Sequence, residues 1–232
     1  MELIDDRIVG HQFAYSLPLP DFSSSGLEYW VGQNGIFARA ARPGIEVLMP
    51  LGYHQPLKGL VSLDPYLKVE PLVPMELLLH VWVAACQTTD PATDSLLEAL
   101  FHLVWVRGHW QLVTPSQKQD ATSCQPIDMS ADSSTCNAAI EIHSHGAMAA
   151  FFSPTDDRDE RSGFRLYGVM GKVRSPRSQM LVRVGLFGHC WHVPLDRLFD
   201  LKGGCFFEDL GLQDSRYYYN QWEKQQCPST MT

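Results

Sequence analysis

Apolar residues in the first seventy positions come in short runs at strand length. Leu27-Glu28-Tyr29-Trp30-Val31 is followed by Asn34-Gly35 and then by Ile36-Phe37-Ala38-Arg39-Ala40. Asn-Gly between two such runs predicts a hairpin with a type I′ turn, because both residues tolerate positive φ. Arg42-Pro43-Gly44 turns the chain into a third strand, 45–49. Residues 1–70 therefore read as a β-rich region, either a separate module or an extension of a main sheet. From position 71 the texture changes. Pro74 suits a first helical turn, and 75–88 is rich in Leu, Ala and Met with no breaker, which predicts a helix buried on most of its surface. The runs 98–106 and 110–113, joined through Arg107-Gly108-His109, read as a second hairpin. Ser, Thr, Gln and Asp without a period predict a long loop over 115–137. A strand resumes over 138–145. The runs 164–173 and 180–192 read as an antiparallel pair joined by 174–178, and the polar end, 224–232, reads as a flexible tail.

Composition narrows the classes. Of 232 residues, 45% are hydrophobic and 19% charged, which is the make-up of a folded chain with a real core. The net charge of −8 argues against a nucleic-acid partner, since such proteins carry a basic face to neutralise phosphates. The opening Met1-Glu2-Leu3-Ile4-Asp5-Asp6 has neither a basic nor an apolar leader segment. The most apolar stretch, 77–86, contains His80 and is too short to span a bilayer. A soluble, cytoplasmic protein with no membrane partner is expected. Six cysteines, Cys86, Cys124, Cys136, Cys190, Cys205 and Cys227, form no C-x-x-C pair. They read as reduced thiols, several of them buried, rather than a zinc ribbon or a disulfide framework.

The stretch that carries chemistry is His143-Ser144-His145, seven intervening residues, then Ser153-Pro154-Thr155-Asp156. On a strand, residues i and i+2 share a face, so His143 and His145 present two imidazoles together. Two imidazoles and a carboxylate, with a fourth position left to water, form the donor set of a catalytic zinc site. Asp156 is the natural third ligand. Ser153 is a favoured N-cap, Pro154 fits the first helical position, and Asp156 falls at the third. Each half of the pattern also has a bland reading: H-x-H arises by chance, and Ser-Pro-Thr-Asp caps helices without any metal.

Joined at this spacing, the two halves resemble the JAMM motif, H-[ST]-H-x7-S-x2-D, of the MPN (JAB) family, with every defining position matched. The resemblance covers 74–200. It implies an α/β fold with a mixed, largely antiparallel sheet flanked by helices, here with the β-rich N-terminal extension, and a catalytic domain over 71–223. It also implies a Zn2+ cofactor held by His143, His145 and Asp156, and hydrolysis of (iso)peptide bonds after a ubiquitin-like protein. Ser153 would donate to the developing oxyanion. The family further uses an upstream glutamate as general base, commonly within E-x-x-G-x-x-x-G. Glu98-Ala99-Leu100-Phe101-His102-Leu103-Val104-Trp105 stands in that place without either glycine. Glu98 is the favoured base and Glu141, which shares a strand face with the histidines, is the competitor. Gly146 stands where the family commonly has proline. Within the family, the N-terminal extension and hairpin-rich C-terminal half resemble protein A of the PRTRC cassette, a bacterial plasmid-borne set that also encodes ThiF-like and ubiquitin-like proteins. A ubiquitin-like protein or its conjugates, and a ThiF-like activating enzyme, are the partners this implies. The alternative within the family is a non-catalytic scaffold. A zinc nucleobase deaminase would need H-x-E and P-C-x-x-C, and neither occurs.

Other residues carry less. His189 and His192 bracket Cys190-Trp191 and read as rim or core histidines ahead of a second metal site. His80 reads as structural, and His102 and His109 lie in no motif. Tyr217-Tyr218-Tyr219 with Trp222 serves equally as a docking surface or as packing of the C-terminal segment.

Overall fold

The protein is described by a computed structural model over residues 9–22, 26–202 and 207–211. Cys205, Cys227, the Tyr217–Tyr219 run, Trp222 and the 224–232 tail lie outside the described residues. The chain divides into two compact units, Met1–Glu70 and Pro71–Thr232.

In the first unit, β1 (Val9–Phe13), β2 (Leu27–Val31), β3 (Gly35–Arg42), β4 (Ile45–Tyr53) and β5 (Tyr66–Val69) form one sheet in sequence order. Only the β1–β2 pair is parallel. Ala14, Trp30, Phe37, Leu48 and Leu63 make its core. The β2–β3 turn departs from expectation. Val31 pairs with Ile36, Gly32 N–H donates to the Gly35 carbonyl at 2.9 Å, and neither Asn34 nor Gly35 has positive φ. Asn34 is instead buried and bonds the Leu63 backbone at both ends of its amide, 2.9 Å each. Its side chain is committed to a tertiary contact rather than to a turn. Gly35 is required by proximity, since a Cβ there would lie 2.5 Å from the Gly52 carbonyl oxygen.

The second unit begins with β6 (Val73–Pro74) and α1 (Met75–Gln87). Then follow β7 (Ala99–Val106), β8 (His109–Val113), β9 (Gln117–Gln119), β10 (Cys124–Pro126), α2 (Ser134–Asn137) and β11 (Ala138–Ser144). The chain continues through α3 (Pro154–Asp159), β12 (Phe164–Gly171), β13 (Gln179–Leu186), β14 (His189–Val193), β15 (Phe199–Asp200) and β16 (Glu208–Asp209). The main sheet has seven strands in the order β14-β13-β12-β11-β7-β8, with β16 beside β13. The β11–β12 and β13–β16 pairs are parallel and the rest antiparallel. It is therefore a mixed, largely antiparallel α/β architecture, sheet-rich and with few helices.

Four expectations are corrected. Helix α1 buries only Leu78, Val81 and Ala85, one stripe at i, i+3 and i+7, while His80 and Val83 face solvent. The 180–192 run is two strands, β13 and β14, joined at Phe187-Gly188. Both residues have positive φ (47° and 87°), and Leu186 pairs with His189, so this is a two-residue type I′ hairpin. Arg107 and Gly108 (50° and 87°) do the same between β7 and β8. The 115–137 stretch is not a plain loop, since it holds the β9–β10 hairpin and α2. Finally, the described cysteines are free thiols that are half-buried (Cys86, Cys124) or exposed (Cys136, Cys190), not buried.

Candidate metal centre

From Ile140 on, past a register irregularity at Ala138–Ile140, strand β11 alternates. Ile140 and Ile142 face an apolar side with Leu103, Phe101, Leu166 and Val182, while Glu141 and His143 face the other side. Register carries that second side across the sheet. His102, Glu141, Tyr167, Arg183 and His192 form one row, and Leu100, His143, Val169 and Leu181 the next. His145 lies just past β11, where its N–H extends the ladder to the Met170 carbonyl at 2.8 Å.

The return from His145 to α3 is laid against the end of β12. Lys172 N–H donates to Met148 O (2.7 Å) and Val173 N–H to Gly146 O (3.0 Å), while Ala150 packs on Val169 and Leu181. Gly171 makes this approach possible, because a Cβ there would sit 2.1 Å from the Ala150 nitrogen. Gly146 has φ +55°, which a proline ring, locked near −65°, cannot adopt. The glycine at that position therefore matches this loop's path.

Helix α3 opens on a complete capping box. Ser153 Oγ accepts from the Asp156 N–H at 3.2 Å, and Ser153 N–H donates to Asp156 Oδ2 at 2.6 Å. Oδ1 of Asp156 then lies 3.8 Å from His143 Nε2, and the two Nε2 atoms of His143 and His145 are 3.1 Å apart. The donor atoms of His143, His145 and Asp156 all fall within 4.8 Å of one another. Among the described residues no other such group of three occurs. His145 Nδ1 contacts the Ala149 carbonyl at 3.1 Å, which assigns the proton to Nδ1 and leaves the Nε2 lone pair toward its neighbours. Burial, with the adjacent His145 ring, pushes the His143 pKa down to about 4 against the upward pull of Asp156. Burial lowers His145 as well. Both rings are thus neutral donors near pH 7, the state a metal needs. Donor types, convergence and protonation fit a tetrahedral zinc ion with one position open.

The two glutamates have different surroundings. Glu98 stands one residue before β7, in line with Leu100 and His102 and so on the histidine side of the sheet. It is buried, at 5% exposure, and its carboxylate has no hydrogen-bond or ion-pair partner among the described residues. Burial first, then Asp156 and Asp120, push its pKa up to about 7. Its backbone is held firmly. Glu98 N–H donates to Asp120 O (2.9 Å), Gln119 Nε2 to Glu98 O (2.8 Å), and the Gln117 amide bonds both N–H and C=O of Leu100. Glutamine side chains of β9 thus pair with the part of β7 that β8 leaves open. Ser144 Oγ accepts from Ala99 N–H at 3.1 Å, tying the Glu98 segment to the histidine strand. Glu141, by contrast, accepts from Arg165 Nη1 at 2.6 Å and lies 3.6 Å from His102 Nε2. Burial works against its charge, but His102 and Arg165 outweigh it and its pKa falls. Arg165 also bonds the Thr135 carbonyl (2.6 Å), and His102 Nδ1 meets Ser134 Oγ (2.9 Å).

Arg165 and Arg183 escaped sequence reasoning, and His102 carries no weight there for want of a motif. Their signal was parity alone: each is a charged or titratable residue of a strand whose other residues are mostly apolar. His192 stacks on Phe152, with centroids 5.8 Å apart. Cys124 on β10 sits among carboxylates, and burial followed by Glu98, Glu141 and Asp156 raises its pKa, so it remains a thiol.

Residues 77–183 match the family model described as prokaryotic homologs of the JAB domain. The match spans the sheet from α1 into β13 and includes the His143, His145 and Asp156 group. It supports a JAB/MPN domain in the second unit, and the sheet-rich α/β architecture is consistent with that fold. JAB domains include hydrolytic JAMM members and non-catalytic ones. No curated protein matches the chain. No helix among the described residues is long and apolar enough to cross a membrane.

Proposed function

We propose that the second unit holds, over 71–223, a zinc-dependent isopeptidase or protease domain of the JAMM type that cleaves (iso)peptide bonds after a ubiquitin-like protein. The observation that carries this reading is the grouping of ligand atoms of His143, His145 and Asp156 within 4.8 Å of one another. Zinc, when bound there, supplies a Lewis acid that lowers the pKa of water toward ~7 and polarises the scissile carbonyl. The rest falls to the chain. Glu98 would take a proton from the water as its oxygen bonds to the scissile carbonyl carbon and return it to the nitrogen as the carbonyl–nitrogen bond breaks, giving an amine and a carboxylic acid that loses its remaining proton to solvent. In the metal-free site burial holds the Glu98 carboxyl well above the usual carboxylate range, and a raised pKa favours a group that must both accept and return a proton. Ser153 Oγ accepts from the Asp156 N–H, which leaves its own proton to donate to the oxyanion. Glu141, held by Arg165, orders the sheet behind the histidines.

The substrates proposed are ubiquitin-like proteins or their conjugates in a bacterial cytoplasm, with a ThiF-like enzyme of a PRTRC-type cassette as the activating partner. Asp156→Ala should abolish cleavage of a ubiquitin-like fusion protein while the fold persists. Undiminished cleavage defeats the proposal. Absence of cleavage by the zinc-loaded wild type against such fusions would favour the scaffold reading.

A further inference from the structure

Asp156 sits on a six-residue helix that buries none of its residues, and helices this short are not stable by themselves. Something outside α3 must fix it. Arg183, on β13 and in the Glu141–Tyr167 row, does so from beneath. Its Nε donates to Glu160 Oε2 at 2.7 Å and its Nη1 to Asp157 Oδ1 at 2.8 Å. Its guanidinium lies 3.7 Å from the centroid of the Phe152 ring, whose other stacking partner is His192. Residues 152, 157 and 160 bracket Ser153 and Asp156, so a single side chain grips the chain on both sides of the third donor. The Arg183 and Glu160 side chains are each 5% exposed. Burial raises the Glu160 pKa to about 7 against the pull of Arg183, while the bonds of Arg183 to Glu160 and Asp157 outweigh its own burial, so the guanidinium keeps its charge. Buried ion pairs are weak sources of stability, because desolvation offsets most of their attraction. What this one provides is orientation.

We propose that Arg183 is a positioning residue for the metal centre, setting the place of Asp156 through Phe152, Asp157 and Glu160 and thereby the centre's affinity for a divalent cation. This rests on reading His143, His145 and Asp156 as ligands. Arginine fits this role and lysine does not, because an ammonium cannot bond two carboxylates in a planar fork while stacking on a ring.

The test uses the full chain, stripped of metal and titrated with Co2+, whose visible spectrum reports coordination number and geometry. Arg183→Met keeps the volume of the side chain and removes the grip. It should weaken Co2+ binding ten- to a hundredfold, the usual effect of removing a group that orients a ligand, and should alter the spectrum. Arg183→Lys should fail to restore either. Val184→Ala, on the apolar side of the same strand, should lower the melting temperature and leave affinity and spectrum unchanged. A folded Arg183→Met protein with wild-type affinity and spectrum overturns the proposal. If that variant does not fold, the Asp157→Asn/Glu160→Gln pair should show the same weakening, and unchanged binding there overturns it equally. A folded wild type that binds no Co2+ sinks the ligand reading itself, and the positioning role with it.

Discussion

The two sides of the seven-stranded sheet are built from the same strands and have opposite chemistry. One side holds Phe101, Leu103, Ile140, Ile142, Leu166, Met170, Met180 and Val182, all at 1% exposure or less. The other holds His102, Glu141, His143, Tyr167 and Arg183, of which His102 bonds Ser134 of α2, His143 lies beside Asp156 of α3, and Arg183 bonds Asp157 and Glu160 at α3. A period of two lets each strand contribute separately to stability and to the site. The polar side repeats the division on a smaller scale: Glu141 is charged and held, while Glu98 is buried with no salt-bridge partner among the described residues and has a raised pKa. Stability and chemistry should therefore respond to different substitutions.

The largest effect expected is on turnover. Glu98→Gln should cut hydrolysis by about 10²–10⁴-fold, the usual contribution of a general base, and leave zinc stoichiometry intact. Cleavage assays beside elemental analysis read both. Glu141→Gln should do much less to turnover, and equal losses from the two would erase the distinction between them. Next comes the apolar side. Phe101→Ala should cost about 3–5 kcal/mol in denaturant unfolding, and the protein that stays folded should still bind zinc. Glu141→Gln should destabilise by roughly 1–3 kcal/mol, because Arg165 would be left without its carboxylate.

The smallest effect is a slope. The Glu98 pKa rises from 4.5 unfolded to about 7 folded, so between those values the metal-free folded protein binds the proton more tightly than the unfolded chain. This residue's contribution to stability is therefore full below about pH 4.5 and is lost as pH rises to about 7. Unfolding free energies of metal-free wild type and Glu98→Gln, compared across that window, should show the wild type losing stability relative to the variant as pH rises. A difference that does not change with pH would mean that Glu98 is not perturbed.

The motif was readable because its chemistry demands fixed residue types. The spacing of Ser153 and Asp156 is also that of a capping box, so local rules alone placed the carboxylate at the third position of a helix. Elsewhere the same rules gave out where tertiary contacts intervened. Asn34-Gly35 has the composition of a type I′ turn, yet Asn34 is committed to the Leu63 backbone. The true type I′ turns are at Arg107-Gly108 and Phe187-Gly188, where the first residue gives no warning. Strand β9, Gln117-Lys118-Gln119, has no apolar alternation, because its side chains bond the β7 backbone rather than pack on it. Arg183 looks like a lone charge in an apolar run. Its carboxylate partners, Asp157 and Glu160, are more than twenty residues away in sequence.

The most direct test of the central claim is the zinc content of the purified protein beside that of the His143→Ala/His145→Ala double variant. About one zinc per chain in the wild type, lost in the folded double variant, is the predicted result. A wild type that holds no zinc after reconstitution, or a double variant that keeps it, would contradict the account.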